Sequence, residues 1–152
     1  MKRLLLAGAA LIGLATTLSA AAQFQKPEDA VKFRKASFVI MSAHFNRIGA
    51  VVKGTAPYDP AVLLNNAEIV AMMSYMPYQG FVEGTVGNGD KGTAKATIWS
   101  ERAKFDESAK KMQTEATKLV AAAKSKDLDA IKLYFGSTQK ACMSCHDSFR
   151  SQ

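Results

Sequence analysis

Residues 140–152 read KACMSCHDSFRSQ. The stretch holds both cysteines of the 152-residue chain and one of its two histidines. Cys142, Cys145 and His146 form C-x-x-C-H. Two cysteines at this spacing can make a disulfide, half a zinc site, a thiol–disulfide redox pair or a haem attachment site. On a helix, positions i and i+3 lie on one face, about one turn apart. Two thiolates so placed can each add to one of the two vinyl groups of a haem. His146 lies at i+4 from Cys142, so its imidazole can reach the iron from the face that the thioethers fix. A zinc site wants four ligands, and the only further histidine, His44, lies on a distant segment. A thioredoxin-type pair wants a βαβ context, and the chain has no alternating strand pattern. The motif therefore reads as the attachment signature of c-type haem.

Outward from the motif, the chain reads as four helices. The fourth starts near Asp127, an N-cap residue type, and runs through Leu128, Ile131, Tyr134 and Phe135 into the motif, with Gly136 a possible kink. The third spans about Ile98 to Ala123, with Trp99, Ala103, Phe105, Ala109, Met112, Ala116, Leu119 and Val120 on its buried side. Pro77 to Thr97 holds five glycines and little periodicity. So long a connection should be functional or flexible, with Phe81 and Val82 as its apolar anchors. The second helix spans about Asp59 to Met76, with Asp59 as N-cap, Pro60 at the first helical position and Pro77 as its stop. The first spans about Lys26 to Val52. Its inward face carries Ala30, Phe33, Arg34, Ser37, Phe38, Met41, Phe45, Ile48 and Val52 at steps of three and four, and Gly54 lies just past its end. Four amphipathic helices with two short connections and one long one predict an all-α protein, an antiparallel up-down-up-down four-helix bundle.

The first 22 residues read differently. A basic start at Lys2 and Arg3, an apolar run and the small residues SAAA compose a secretory signal peptide, cut after Ala22. The apolar run is short for a membrane span of about 20 residues, so the mature form is expected to be free of the membrane. Residues 23–152 then form one domain. Loss of Lys2 and Arg3, with no acid lost, lowers the formal charge from +7 to +5. That charge favours acidic partners. Export and the spread of the lysines speak against nucleic acid. An exported chain with only two cysteines is no disulfide scaffold.

With these segments in view, the sequence resembles the cytochrome c′ family, bacterial high-spin class II cytochromes c. The resemblance is carried by QFQKPEDAVKFRKASF, SAHFNRIGAVVKGTAPYD, IWSERAKF and ACMSCHDSFR. Class I cytochromes c carry the haem motif near the N-terminus with a methionine ligand downstream, and no methionine follows His146. The resemblance implies a periplasmic four-helix bundle with one haem c between the helices, bound through thioethers at Cys142 and Cys145, with His146 as proximal iron ligand. It implies that Arg34 approaches a haem propionate. Lys35 stands where many members carry glutamine, and the loop around Gly92 and Thr93 is expected close to the haem. Arg150, one turn after His146, matches a basic position near the proximal histidine. A positive charge there weakens the donor strength of the imidazole.

Phe38, one turn after Arg34, matches the position that covers the distal side of the iron. A phenyl ring cannot coordinate iron and offers no hydrogen bond. An apolar pocket favours nitric oxide and carbon monoxide over dioxygen, whose iron complex is strongly polar. The rival arrangement has Met41 as sixth ligand and makes the protein a low-spin electron carrier. Met72, Met73 and Met76 read as adaptable core filling, and His44 as a surface or interface residue. No nucleophile–base arrangement is present, so the chain is not read as an enzyme. Members often form homodimers through the first two helices, where Val39, Ile40 and Met73 are expected to be exposed. The redox partner is not readable.

Overall fold

Five helices account for most of the computed structural model, which describes residues 23–152. The predicted leader, residues 1–22, lies outside the described residues. Helix α1 spans Pro27–Val52, α2 Pro60–Met73, α4 Arg102–Ser125 and α5 Leu128–Phe149. Between α2 and α4 lie a 3₁₀ turn, Pro77–Gly80, and the single-turn helix α3, Thr97–Ser100.

The start signals act as the sequence suggests. Pro27 opens α1, with Glu28 and Asp29 in its first turn, where carboxylates complement the helix dipole. Asp59 caps α2 by accepting from the backbone N–H groups of Ala61 and Val62. Asp127 caps α5 in the same way with Asp129 and Ala130. Each cap satisfies two N–H groups that the helix itself leaves without partners. Lys126 turns the chain from α4 into α5 in the left-handed region (φ 58°). Helix α5 runs unbroken through Gly136.

Two boundaries differ from the sequence expectation. The second helix ends at Met73, not Met76, and passes through a turn into the 3₁₀ segment. The third is broken at Glu101 (φ −118°, ψ 40°), which separates α3 from α4. No glycine or proline marks that break, so the steps of three and four run across it unaltered.

Cross-helix contacts set the directions. His44 on α1 meets Asn66 on α2, Ser74 meets Gln113, Glu68 meets Lys124, and Phe45 stacks on Phe135. The Ser74–Gln113 and Glu68–Lys124 contacts run in opposite chain order, as do Phe105–Phe149 and Lys118–Tyr134 between α4 and α5, so these pairs are antiparallel, as an up-down-up-down bundle requires. The main core is aliphatic apart from Phe135: Met41, Ile48, Leu63, Val70, Leu119 and Ile131, interleaved with alanines such as Ala67 and Ala116. A second, aromatic cluster lies at one end, built from Phe81, Ile98, Phe105 and Phe149. No described helix is long and apolar enough to cross a membrane.

Candidate haem-attachment site

The last turns of α5 present the motif. Cys142 and Cys145 are free and half-buried, and they fall on different clusters. Cys142 packs against the main core and Cys145 against the aromatic one. The junction between the two clusters is thus the place that both cysteines face. Burial pushes both thiols up, Cys145 to about 11 with Cys142 adding to the rise. Reactive redox thiols sit in the opposite environment, where the thiolate is favoured. His146 is half-buried, and neither ring nitrogen hydrogen-bonds to the described protein. Burial lowers its affinity for a proton, the nearby Arg150 lowers it further, and Asp147 opposes both. A neutral imidazole with a free nitrogen is the form that ligates iron. Among the described residues no three or more His, Cys, Asp or Glu side chains are gathered as a metal-holding group.

Arg34 is 5 % exposed, yet no carboxylate of the described residues lies within ion-pair distance of it. Its Nη1 donates to the Gly80 carbonyl (2.9 Å) and the Thr85 hydroxyl (2.7 Å), and Nη2 to the Thr85 carbonyl (2.6 Å). The guanidinium also lies over the Phe81 ring, 4.5 Å from its centroid. Its fork carries five N–H donors, so these contacts leave donors over. Burial lowers its pKa, the sign of a cation held where water is scarce. The loop comes this close because residue 80 is glycine. A Cβ there would stand 2.6 Å from the Ala30 carbonyl oxygen.

The loop is also tied to the tail. Gly92 N–H donates to the Ser151 carbonyl (2.8 Å), Ser151 N–H to the Thr93 carbonyl (2.9 Å) and Lys95 N–H to the Phe149 carbonyl (3.0 Å). Ala94 and Arg150 form an isolated antiparallel bridge, the one β-type pairing found among the described residues. Gly92 has φ +82°, and the Arg150 guanidinium lies 3.0 Å from where a Cβ would stand. A side chain at 92 is strained by the left-handed backbone, and the flexible Arg150 side chain would have to shift slightly to admit it.

The predicted residues are thus partly brought together. Arg34, Phe38, Cys142, Cys145, His146 and Arg150 surround the aromatic end. Thr93 does not reach Arg34: its hydroxyl donates to the Asp90 carbonyl within its own loop (2.6 Å). The loop threonine that Arg34 engages is Thr85, buried to 2 %, which the sequence reading missed. A glycine-rich stretch has no periodicity from which to read its register. Lys35 is exposed and bonded to nothing in the described protein. Phe38 packs against both clusters, whereas Met41 belongs to the main core alone. Met73, expected on the surface, is half-buried against the core, and its neighbour Met72 is the exposed one. His44 is half-buried too, its Nδ1 2.8 Å from Asn66 Oδ1 at the α1–α2 seam.

Residues 29–150 match the family described as Cytochrome C′. The chain belongs to the cytochrome c′ family. It is 42 % identical over 130 residues to the cytochrome c′ of Alcaligenes xylosoxydans xylosoxydans, covering 86 % of this chain and 99 % of that one. The cytochrome c prime of Shewanella frigidimarina superimposes with a TM-score of 0.80 at 39 % identity, over 85 % of this chain and 99 % of the other. The nitric oxide complex of a point mutant of cytochrome c prime from Alcaligenes xylosoxidans gives 0.79 at 40 % identity, over 85 % and 98 %. Cytochromes c′ carry covalently bound haem c, and C-x-x-C-H at 142–146 supplies its attachment sequence. The site's polar groups fit such a cofactor. Arg34 is a buried cation with no acidic partner among the described residues, and the buried Trp99 Nε1 and Thr97 Oγ1 of α3 have no hydrogen-bond partner. Carboxylates brought in by a cofactor would meet that demand.

Proposed function

We propose that the mature chain, residues 23–152, is an exported, periplasmic cytochrome c′ that binds nitric oxide and carbon monoxide reversibly. Cys142 and Cys145 hold the haem, and His146 is the proximal ligand. Arg34, with Arg150 nearer the histidine, supplies positive charge around the cofactor. Haem iron supplies a coordination position for diatomic ligands and a one-electron couple. The chain's own contribution is to leave that position free of a sixth protein ligand.

The observation that carries this reading is the division of labour on α1. Phe38 stands at the junction faced by both cysteines, while Met41 is packed wholly into the aliphatic core. The Phe38 ring at the junction offers no atom that can ligate iron. The relatives named above are cytochromes rather than enzymes, and one was solved as a nitric oxide complex. Electron transfer to an acidic partner accompanies the gas chemistry and suits the net positive charge. Exposed Val39 and Ile40 on α1 with Met72 on α2 support a homodimer through these helices.

The test is the visible spectrum of the dithionite-reduced protein, expressed with haem attachment, before and after carbon monoxide. A broad single band that sharpens and shifts on adding the gas is expected. A sharp split band indifferent to carbon monoxide overturns the reading and points to Met41 as sixth ligand.

A further inference from the structure

Two side chains pack against both the main core and the aromatic cluster: Phe38 and Tyr78. The cysteines straddle the same junction, so both rings belong to the space beside the haem attachment points. Phe38 is pure hydrocarbon. Tyr78 is not. It rises from the 3₁₀ turn with its ring edge-on to Phe38 (6.4 Å between centroids, 78°), 6.2 Å from Phe81 and 5.5 Å from Phe105. Three phenyl rings therefore wall the phenol. Its hydroxyl makes no hydrogen bond within the described protein and is not one of the fully buried polar atoms, so it opens onto accessible space. Burial, helped by the two cysteines, holds the phenol far above its ordinary ionisation range. It is a neutral O–H donor at any working pH.

We propose that Tyr78 is the specificity-determining donor of this site, its O–H hydrogen-bonding to a diatomic ligand bound in the space fronted by Phe38. The proposal rests on the free sixth position argued above. It adds one polar donor to the apolar distal face expected from Phe38. A neutral donor beside the bound ligand favours the more polar adducts, so it narrows the discrimination against dioxygen that Phe38 alone would give.

The C–O stretch of the ferrous carbon monoxide adduct reads this directly. Three samples suffice: wild type in H₂O, wild type in D₂O, and Tyr78→Phe, which deletes one oxygen and keeps the ring. The expected result is a higher stretching frequency in Tyr78→Phe, with a wild-type band sensitive to D₂O. Carbon monoxide should also leave the variant roughly 2- to 10-fold faster, the span that one lost neutral hydrogen bond represents. Identical frequencies in wild type and variant, with no D₂O effect, overturn the role of Tyr78 while the free position stands. If the wild type takes up no carbon monoxide, the free position itself falls and this proposal with it. Should Tyr78→Phe fail to hold haem, the wild-type D₂O comparison decides alone.

Discussion

The two clusters of this bundle are built on different terms. The main core, aliphatic apart from Phe135, is drawn from the middles of four long helices, and its Ser37 and Thr138 hydroxyls are satisfied locally. Ser37 donates to the Phe33 carbonyl and Thr138 to that of Tyr134, each one turn back. The aromatic end is drawn from a loop, a 3₁₀ turn, a single-turn helix and the last turns of α5. Of its buried polar groups, Arg34 reaches across sequence to Gly80 and Thr85, the Thr85 hydroxyl also donates locally to the Val82 carbonyl, and Trp99 Nε1 and Thr97 Oγ1 find no partner. The main core has one such orphan, the Tyr58 hydroxyl. One region is a framework with a single unpartnered hydroxyl among its described residues. The other gathers donors, a cation without an acidic partner among the described residues, and two thiols around a junction.

That contrast can be broken at either end. The largest effect belongs to the framework. Leu119 is fully buried among α1, α2 and α5 side chains, so Leu119→Ala should cost about 2–5 kcal/mol of unfolding free energy. Denaturant titration measures the loss, and the haem spectrum should stay unchanged. A spectrum that shifts along with stability would show that the two regions are not separable.

A smaller effect, of opposite character, is expected from Arg34→Ala. It removes three donations and leaves the Thr85 and Gly80 carbonyls without that donor, a loss of about 1–3 kcal/mol. The change should concentrate in the loop, read as faster proteolytic nicking between residues 81 and 96. Arg34→Lys should not rescue it, because an ammonium lacks the planar fork that spans both residues. Uniform protection across the chain would mean that Arg34 serves the whole fold rather than one end. The smallest effect is expected where neither region is touched. Asp127→Ala removes two cap bonds at the far turn and should cost about 0.5–2 kcal/mol, with loop nicking and spectrum both at wild-type values. Any spectral change there would break the comparison from the other side.

What could be read beforehand follows the same division. Pro27, Asp59 with Pro60, and Asp127 mark helix starts by local chemistry, and the sequence carries them openly. The inward faces of α1 and α4 follow from spacing, except that Ala103, read as buried, is exposed near the start of α4. C-x-x-C-H is legible because its geometry is contained in one turn of helix. The aromatic end is assembled from distant segments, and there the reading weakens. Thr85 and Thr93 are equivalent on paper, and only the approach of Gly80 to α1 decides which one Arg34 meets. The pairing of the loop with residues 149–151 involves too few residues to show an alternating pattern. Tyr78 follows Pro77, read as a helix stop, and nothing in its spacing shows that its ring packs against both clusters. Met72 and Met73 differ by a 100° rotation, and the earlier end of α2 leaves their order unreadable from spacing alone.

The pairing of loop and tail changes what kind of object α5 is. Helix ends fray first, and His146 lies in the last turn of this one. Here the left-handed turn at Lys126 closes one end of the α4–α5 hairpin, and the bonds from Gly92, Thr93 and Lys95 to residues 149–151 close the other. The hairpin is a ring fastened without a covalent link. A disulfide would remove freedom from the unfolded chain; this clasp removes it from the folded one, taking up the orientational entropy of the histidine's turn before any ligand arrives.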